Sequence, residues 1–354
     1  MATPVPPRRR PTMTDVAARA GVSRALVSIV FRDRPGASAG TRARVLAAAE
    51  AIGYRPDSAA QRLARGRSRA VGVMTTVGEP FEAELIETIY AEAGVLGYDV
   101  LLTARTAARG ELVAVEELLA HRCEALVLLG PEMSDELLAE LATRTTVAVV
   151  GRGVAGVDSA HTADADGVRR AVEHVAAAGH RAIMHVDGGG GPNARARRAG
   201  YLRGMADADL CAEARVLPGA YDEAAGIAAA RLLLAGDELP TAVLAGNDRC
   251  ALGLLDTLRR AGVEVPGQVS VVGYNDDRVS RLAHVDLTTV RQDAAALARG
   301  AVRAVAARLD DPRSEPVELM LPPHLVVRGT TGPARSQTGP TGAAVPEDRV
   351  SSKA

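Results

Sequence analysis

The chain has no tryptophan, only two phenylalanines and only three cysteines in 354 residues. Without large aromatics the core must be built from Ala, Val and Leu, and an apolar content of 47% allows a large one. Cys123, Cys211 and Cys250 are single and widely spaced. An odd count with no CxxC argues against a disulfide framework or a zinc site and suits a reducing compartment. Lysine is all but missing: Lys353 stands alone and every other basic side chain is Arg. No apolar run approaches the ~18 residues of a membrane span. The opening MATPVPPRRRP has basic residues but no apolar stretch behind them, so no signal peptide is expected and a cytoplasmic location is. An SxxK nucleophile motif is absent, and the sequence offers no catalytic set.

Charge is present but segregated. The formal net charge is −1, yet residues 1–70 hold fourteen Arg against Asp15, Asp33, Glu50 and Asp57, a balance of +10. The remaining chain is correspondingly acidic. A basic N-terminal module on an acidic body is the electrostatic footprint of nucleic-acid binding.

Within that module, residues 12–34 read TMTDVAARAGVSRALVSIVFRDR, the grammar of a helix-turn-helix. Thr14 and Asp15 can cap a short helix, and Val16, Ala17 and Ala20 share one of its faces. Gly21 permits the turn, Ser23 is a second N-cap, and a second helix is expected from about Arg24 to Phe31. Val22, Val27 and Val30 are expected to fill the space between the helices. A third helix is expected over 39–52, capped by Ser38, with Val45, Leu46, Ala49 and Ile52 as its buried stripe and Tyr54 covering the small core. Asp57 or Ser58 can start another short helix, too short to be stable alone, with Leu63 as its one large apolar side chain. Leu63 either packs against its own domain or acts as a wedge between base steps in the minor groove.

From residue 70 the texture changes to strands alternating with helices, beginning with AVGVM at 70–74 and ending with VSVVGYND at 269–276. Such alternation predicts βαβ units and parallel sheets. The pattern runs twice, interrupted near 151–166, which predicts two similar lobes with a cleft between them. Ligands bind beyond the carboxyl ends of such strands, here 75–81, 130–132, 151–152, 188–197, 246–248 and 274–277. MLPPHLVVRGTT forms a last strand region. The expected plan is a disordered tail at 1–11, a helix-turn-helix domain at 12–56, a hinge helix and linker at 57–69, a two-lobed core at 70–332 and a disordered tail at 333–354. The N-lobe is expected to take 70–162 and 293–320, the C-lobe 163–292 and 321–332.

Other patterns are weaker. GGGGP at 188–192 lacks the GKS/GKT of a phosphate loop and reads as a βα loop. His174, His180 and His185 lack metal-ligand spacing, and no metal or cofactor is expected. The carboxylates of Asp276 and Asp277 are expected to diverge.

The run TDVAARAGVS, then TRARVLAAAEAIGYRPDSAAQRLARGRSRAVGV, AVEHVAAAGHR, PTAVLAGND, VPGQVSVVGYND, LTTVRQD and LPPHLVVRGTT resembles the LacI/GalR family of bacterial transcription regulators over residues 12–331. The resemblance implies an N-terminal all-α helix-turn-helix domain, a hinge helix and an α/β periplasmic-binding-protein-like (type I) core of two parallel-sheet lobes. It implies a homodimer or dimer of dimers on double-stranded DNA carrying a near-palindromic operator, usually a repressor, released or engaged by a small sugar-like effector. Arg24, Ala25 and Ile29 then occupy base-reading positions, with Arg24 able to make a bidentate contact to guanine. Thr14, Ser23, Ser28, Arg32 and Tyr54 fall at other DNA-contact positions, and Leu63 matches the hinge leucine. Phe81, Asp166, Arg197, Asn247, Asn275 and Gln292 match effector-cleft positions. Ile29, Arg32 and Asn275 depart from the usual residues, as does Glu82, which stands where an apolar or aromatic residue is often found. A solute-binding protein without a DNA-binding role is the alternative reading.

Overall fold

The computed structural model describes residues 11–55 and 68–335. The chain divides into two compact units between Arg69 and Ala70.

The first unit holds α1 (Met13–Ala20), α2 (Arg24–Phe31) and α3 (Ala39–Ala51). The cap of α1 lies two residues earlier than Thr14. Thr12 accepts from the Asp15 N–H, and the Asp15 carboxylate accepts from the Thr12 N–H at 2.7 Å, a closed capping box. Thr14 is instead an exposed residue inside the helix. Gly21 ends α1 in the left-handed region at φ 65°, and Ser23 caps α2 at the Leu26 N–H. Val16, Ala17, Ala20, Val27, Val30, Val45, Ala48 and Ala49 form the core, with Val22 and Ile52 partly buried against it. Leu46 is not part of that core; it is 48% exposed. The buried positions of α3 run i, i+3, i+4 from Val45, and Leu46 sits about 100° away around the helix. Arg42 on α3 donates to the Val30 and Arg34 carbonyls and to Asp33 at 2.7 Å, closing the C-terminus of α2.

The second unit begins with β1 (Ala70–Thr76), α4 (Pro80–Val95), β2 (Asp99–Arg105), α5 (Glu111–Ala120), β3 (Ala125–Leu129), α6 (Asp135–Arg144), β4 (Thr146–Val150) and β5 (Asp158–Thr162). A second series follows: α7 (Asp164–Ala177), β6 (Ile183–Val186), α8 (Ala194–Asp207), β7 (Arg215–Leu217), α9 (Glu223–Leu234), β8 (Ala242–Ala245), α10 (Asp248–Arg260), β9 (Ser270–Asn275) and β10 (Thr288–Arg291). The chain closes with α11 (Ala294–Asp310), β11 (Glu318–Leu321) and β12 (His324–Val326).

The sheets repeat one topology. The first runs β2-β1-β3-β4-β5-β11 and the second β7-β6-β8-β9-β10-β12. All pairings are parallel except β10 with β12. The first sheet and its helices are the N-lobe, the second sheet and its helices the C-lobe. The chain passes between them at Thr162–Asp164, Arg291–Ala294 and Leu321–His324. The last strand region is thus two strands, one in each sheet, and Pro322 and Pro323, which cannot donate to a ladder, lie between them.

β1, β3, β4, β8 and β9 are almost wholly buried apolar runs, as strands covered on both faces must be. In each lobe one apolar cluster lies on either face of the sheet. α9 and α10 touch backbone to backbone: a Cβ on Gly226 would come within 2.0 Å of the Cys250 carbonyl oxygen, and one on Gly253 within 2.0 Å of that of Glu223.

Two core elements escape the apolar alternation. β5 carries Asp158, Ser159 and Thr162, buried and polar, where a core strand usually carries Val or Ile. The Asp158 carboxylate is bonded by Arg308 of α11 and by the Val317 N–H, which is why a charge is tolerated there. α11 buries Ala294, Leu297, Ala298, Ala301, Val302 and Val305, a helical stripe whose small alanines dilute the contrast between its faces.

Candidate functional site

In the first unit, α2 turns one edge away from the core. Ser23, Arg24 and Ala25 are exposed, while Ser28, Ile29 and Arg32 are half-buried. Val27 and Val30, on the opposite face, hold the helix to α1 and α3. Ile29 is partly covered by the loop after α2, where Gly36, at φ 124°, faces its side chain. Tyr54 lays its ring on Phe31 with centroids 5.5 Å apart and so belongs in part to the core. Leu63 and most of the hinge region lie outside the described residues.

Between the lobes of the second unit lies a cavity of about 430 Å³, bounded by the carboxyl ends of strands from both sheets. Phe81, Arg197, Asn247, Asn275 and Gln292 all line it. Arg197, from the first turn of α8, is buried. Its Nε donates to Asp164 at 2.8 Å and its Nη1 to the Gly246 carbonyl at 2.7 Å. Its guanidinium lies 3.7 Å from the Tyr274 ring centroid and 5.1 Å from that of Tyr221, within cation–π range of both.

Asp166 is not among the lining residues. Its carboxylate is held by Arg169 at 2.9 Å and Arg170 at 2.7 Å on the same helix. The carboxylate that reaches the cleft arginine is Asp164, two residues earlier and pointing to the other side of α7. Asn247 has a capping duty: its Oδ1 accepts from the Cys250 N–H at the start of α10, and its Nδ2 donates to the Tyr221 carbonyl. Gln292 donates to Asn275 Oδ1 at 2.8 Å, while its own Oε1 is buried without a partner. Asn275 and Asp276 both have positive φ, 123° and 61°, a strain that recurs where backbone is bent to aim side chains at a ligand.

Further lining residues fall in the strand-end segments 75–81, 130–132 and 188–197 or, like Glu82 and Arg105, just beside the expected ones. Gly188, Gly190, Gly191 and Asn193 of the glycine loop line the cavity. The Tyr221 ring packs so closely on Gly188 that a Cβ there would lie 2.2 Å from it. On the opposite wall stand Glu79, Glu82, Arg105 and Glu132. Glu82 is buried, and its Oε2 accepts from the Thr75 hydroxyl and the Thr76 N–H, both at 2.6 Å. Burial pushes its pKa up to about 7 against these bonds. Arg105 pairs with Glu132 at 2.5 Å. Across the mouth, Arg249 of the C-lobe meets Glu79 at 2.8 Å, and Arg278 meets Glu87 at 2.8 Å. Asn193 donates to the Gly151 carbonyl of the facing lobe.

The polar residues outside the cleft are engaged elsewhere. Asp276 is bonded by Arg291 and Arg328, whereas Asp277 faces Asp248, so the neighbouring carboxylates do diverge. His174 and His180 bond the Thr331 hydroxyl and the Gly332 carbonyl, and His185 bonds the Leu244 carbonyl.

A helix-turn-helix and a two-lobed parallel-sheet core with a polar cleft, on one chain, define a DNA-binding transcriptional regulator. Residues 12–57 match the model of bacterial regulatory proteins of the lacI family, and 172–331 that of the periplasmic binding protein-like domain. The chain is 32% identical to the transcriptional regulator GalR of Escherichia coli over 324 residues, 90% of this chain and 94% of that one. A lac repressor dimer bound to operator and an anti-inducer superposes with a TM-score of 0.80 at 29% identity, covering 92% of this chain and all of the other. The regulator CelR in complex with cellobiose does so with a TM-score of 0.67 at 28% identity, covering 91% and 100%. The protein belongs to the lacI family of bacterial transcriptional regulators.

Proposed function

We propose that the protein is a repressor whose affinity for a near-palindromic operator is set by a small polyhydroxylated effector bound between the lobes. One observation carries the effector reading: the hydrogen-bonded Gln292–Asn275 pair lines a cavity with Arg197 on the same wall and Phe81 on the other, and the buried Gln292 Oε1 beside it has no partner among the described residues. A fixed fan of amide and guanidinium groups beside an aromatic ring suits hydroxyl recognition with stacking on a sugar face. The sugar bound by CelR and the operator bound by the lac repressor support the same reading. The chain acts as a homodimer in the cytoplasm, and no catalytic role is assigned to the cleft.

Two linked states carry the regulation. The effector touches both lobes, so its binding energy favours one lobe arrangement over another, and the coupling is reciprocal with DNA. Arg–phosphate contacts supply most of the affinity and make it fall with salt. Arg24, exposed at the start of α2, supplies base discrimination, and Thr14, Ser23, Ser28, Arg32 and Tyr54 support backbone contacts. Arg24→Ala loses discrimination at one base pair per half-site by ~1–3 kcal/mol. Equal weakening on every sequence would reduce Arg24 to a phosphate contact. A footprint over the DNA upstream of the protein's own gene, repeated with a sugar panel, tests the whole. Protection that no compound in the panel changes would remove the effector from the account.

A further inference from the structure

Among the described residues, Glu82 is the charged group on the cleft wall with no countercharge from the chain. Arg197 is answered by Asp164, Arg105 and Glu132 answer each other, and Glu79 is answered by Arg249. Among the described residues Glu82 has no ion-pair partner. Thr75 and Thr76 hold its Oε2, and neither bears charge. No hydrogen bond from a described residue reaches Oε1. That oxygen faces Gly130, where a Cβ would stand 3.2 Å away, so the glycine leaves room in front of it. Gly130 and Glu82 both border the cavity.

We propose that the effector is a polyol bearing one protonated amine, of the amino-sugar class, with its ammonium against Glu82 Oε1 and its hydroxyls on Gln292, Asn275 and Arg197. This deepens the effector reading above and rests on it. A buried carboxylate without a cation is costly, and burial pushes the pKa of this one up to about 7. With Arg197, Glu79, Arg105 and Glu132 each paired, the ionised Glu82 leaves the wall one uncompensated negative charge, complementary to a single positive charge. A neutral diol would add only hydrogen bonds, which Oε2 already has. A ligand phosphate or carboxylate at this end would be repelled. The cavity, about 430 Å³, has the volume of an ordinary small-molecule site.

The test uses the full chain and matched pairs that differ in a hydroxyl or an amine: glucose and glucosamine, galactose and galactosamine, cellobiose and the β1,4-linked glucosamine disaccharide. Titration calorimetry is expected to give at least one amino member about tenfold tighter than its neutral partner. Glu82→Gln abolishes that preference, whereas Glu82→Asp, which keeps the charge, retains it. Melting curves of both variants establish that they fold. The inference is overturned if neutral members bind as tightly as their amino partners, if no amino member binds, or if Glu82→Gln keeps the preference. Neutral binding without an amine preference leaves the effector cleft standing. Failure of every polyol to bind or to change operator affinity removes the cleft reading as well.

Discussion

The two lobes share a strand order but treat the cleft in opposite ways. On the C-lobe wall, Arg197 is fixed by Asp164 and Gly246, Asn247 by the cap of α10, and Asn275 by Gln292. These side chains are oriented by their own lobe, so little of their rotamer entropy would remain to be lost to a ligand bound as proposed. The N-lobe wall is acidic, with Glu79, Glu82 and Glu132 beside Phe81 and Arg105. Among the described residues, every ion pair across the mouth runs from a C-lobe Arg to an N-lobe Glu. One lobe aims the polar groups, and the other supplies charge and the surface that closes on them.

The largest expected effect breaks the C-lobe's fixed wall. Asp164→Ala strands the buried Arg197 guanidinium and should cost ~3–5 kcal/mol in urea unfolding. A loss below ~1 kcal/mol would mean that water reaches Arg197 and that the wall is not rigid. Asp277 tests the closing surface. Burial first, then Asp248, Glu84 and Glu79, push its pKa up to about 8. A carboxyl raised in the folded state costs nothing below its unfolded value; its penalty accumulates as pH rises from the unfolded toward the folded value and is complete above it. Asp277→Asn should therefore stabilise the protein by on the order of 1–3 kcal/mol above about pH 8, and by progressively less toward about pH 4. Identical melting curves of variant and parent across that range would show the carboxylate to be solvated.

Smaller effects sharpen the contrast. Arg249→Ala removes a partly buried contact across the mouth. It should cost ~1 kcal/mol or less in stability while shifting effector affinity, read by calorimetry, because the pair exists only when the lobes meet. The smallest change belongs to Asp166→Ala, whose ion pairs lie on one helix face: below ~0.5 kcal/mol, with the effector response unaltered. A lost effector response there would return Asp166 to the cleft.

Much of this organisation was legible in the residues, and the exceptions share a cause. The alternating strands and helices, the turn at Gly21 and the cap at Ser23 are local signals, and the structure has them. Five of the six cleft candidates line the cavity, because each sits at a strand end or helix start that the pattern marks. Asp166 and Asp164 are two residues apart at the start of one helix, and only the position of Arg197 on the next helix separates their roles. Leu46 looked like core because its size is visible in the sequence and the rotation of α3 is not. β5 was hidden because its buried Asp158 is paid for by Arg308, 150 residues away. Glu82 stood out as a departure, yet its isolation from countercharge depends on three separate ion pairs formed elsewhere.

The segment that places β11 in one sheet and β12 in the other has a consequence for synthesis. Ten of the twelve strands among the described residues precede residue 292, yet each sheet still lacks an outer strand until residues 318–326 arrive. Neither lobe is a continuous stretch of chain, so neither can finish folding while the ribosome still holds the C-terminal region. The edges of β5 and β10 stay open until late, and unpaired edges invite association with other chains. Translational pausing or truncation shortly before residue 318 should accordingly yield aggregation in both lobes together, where a simple tandem of domains would leave the first one intact.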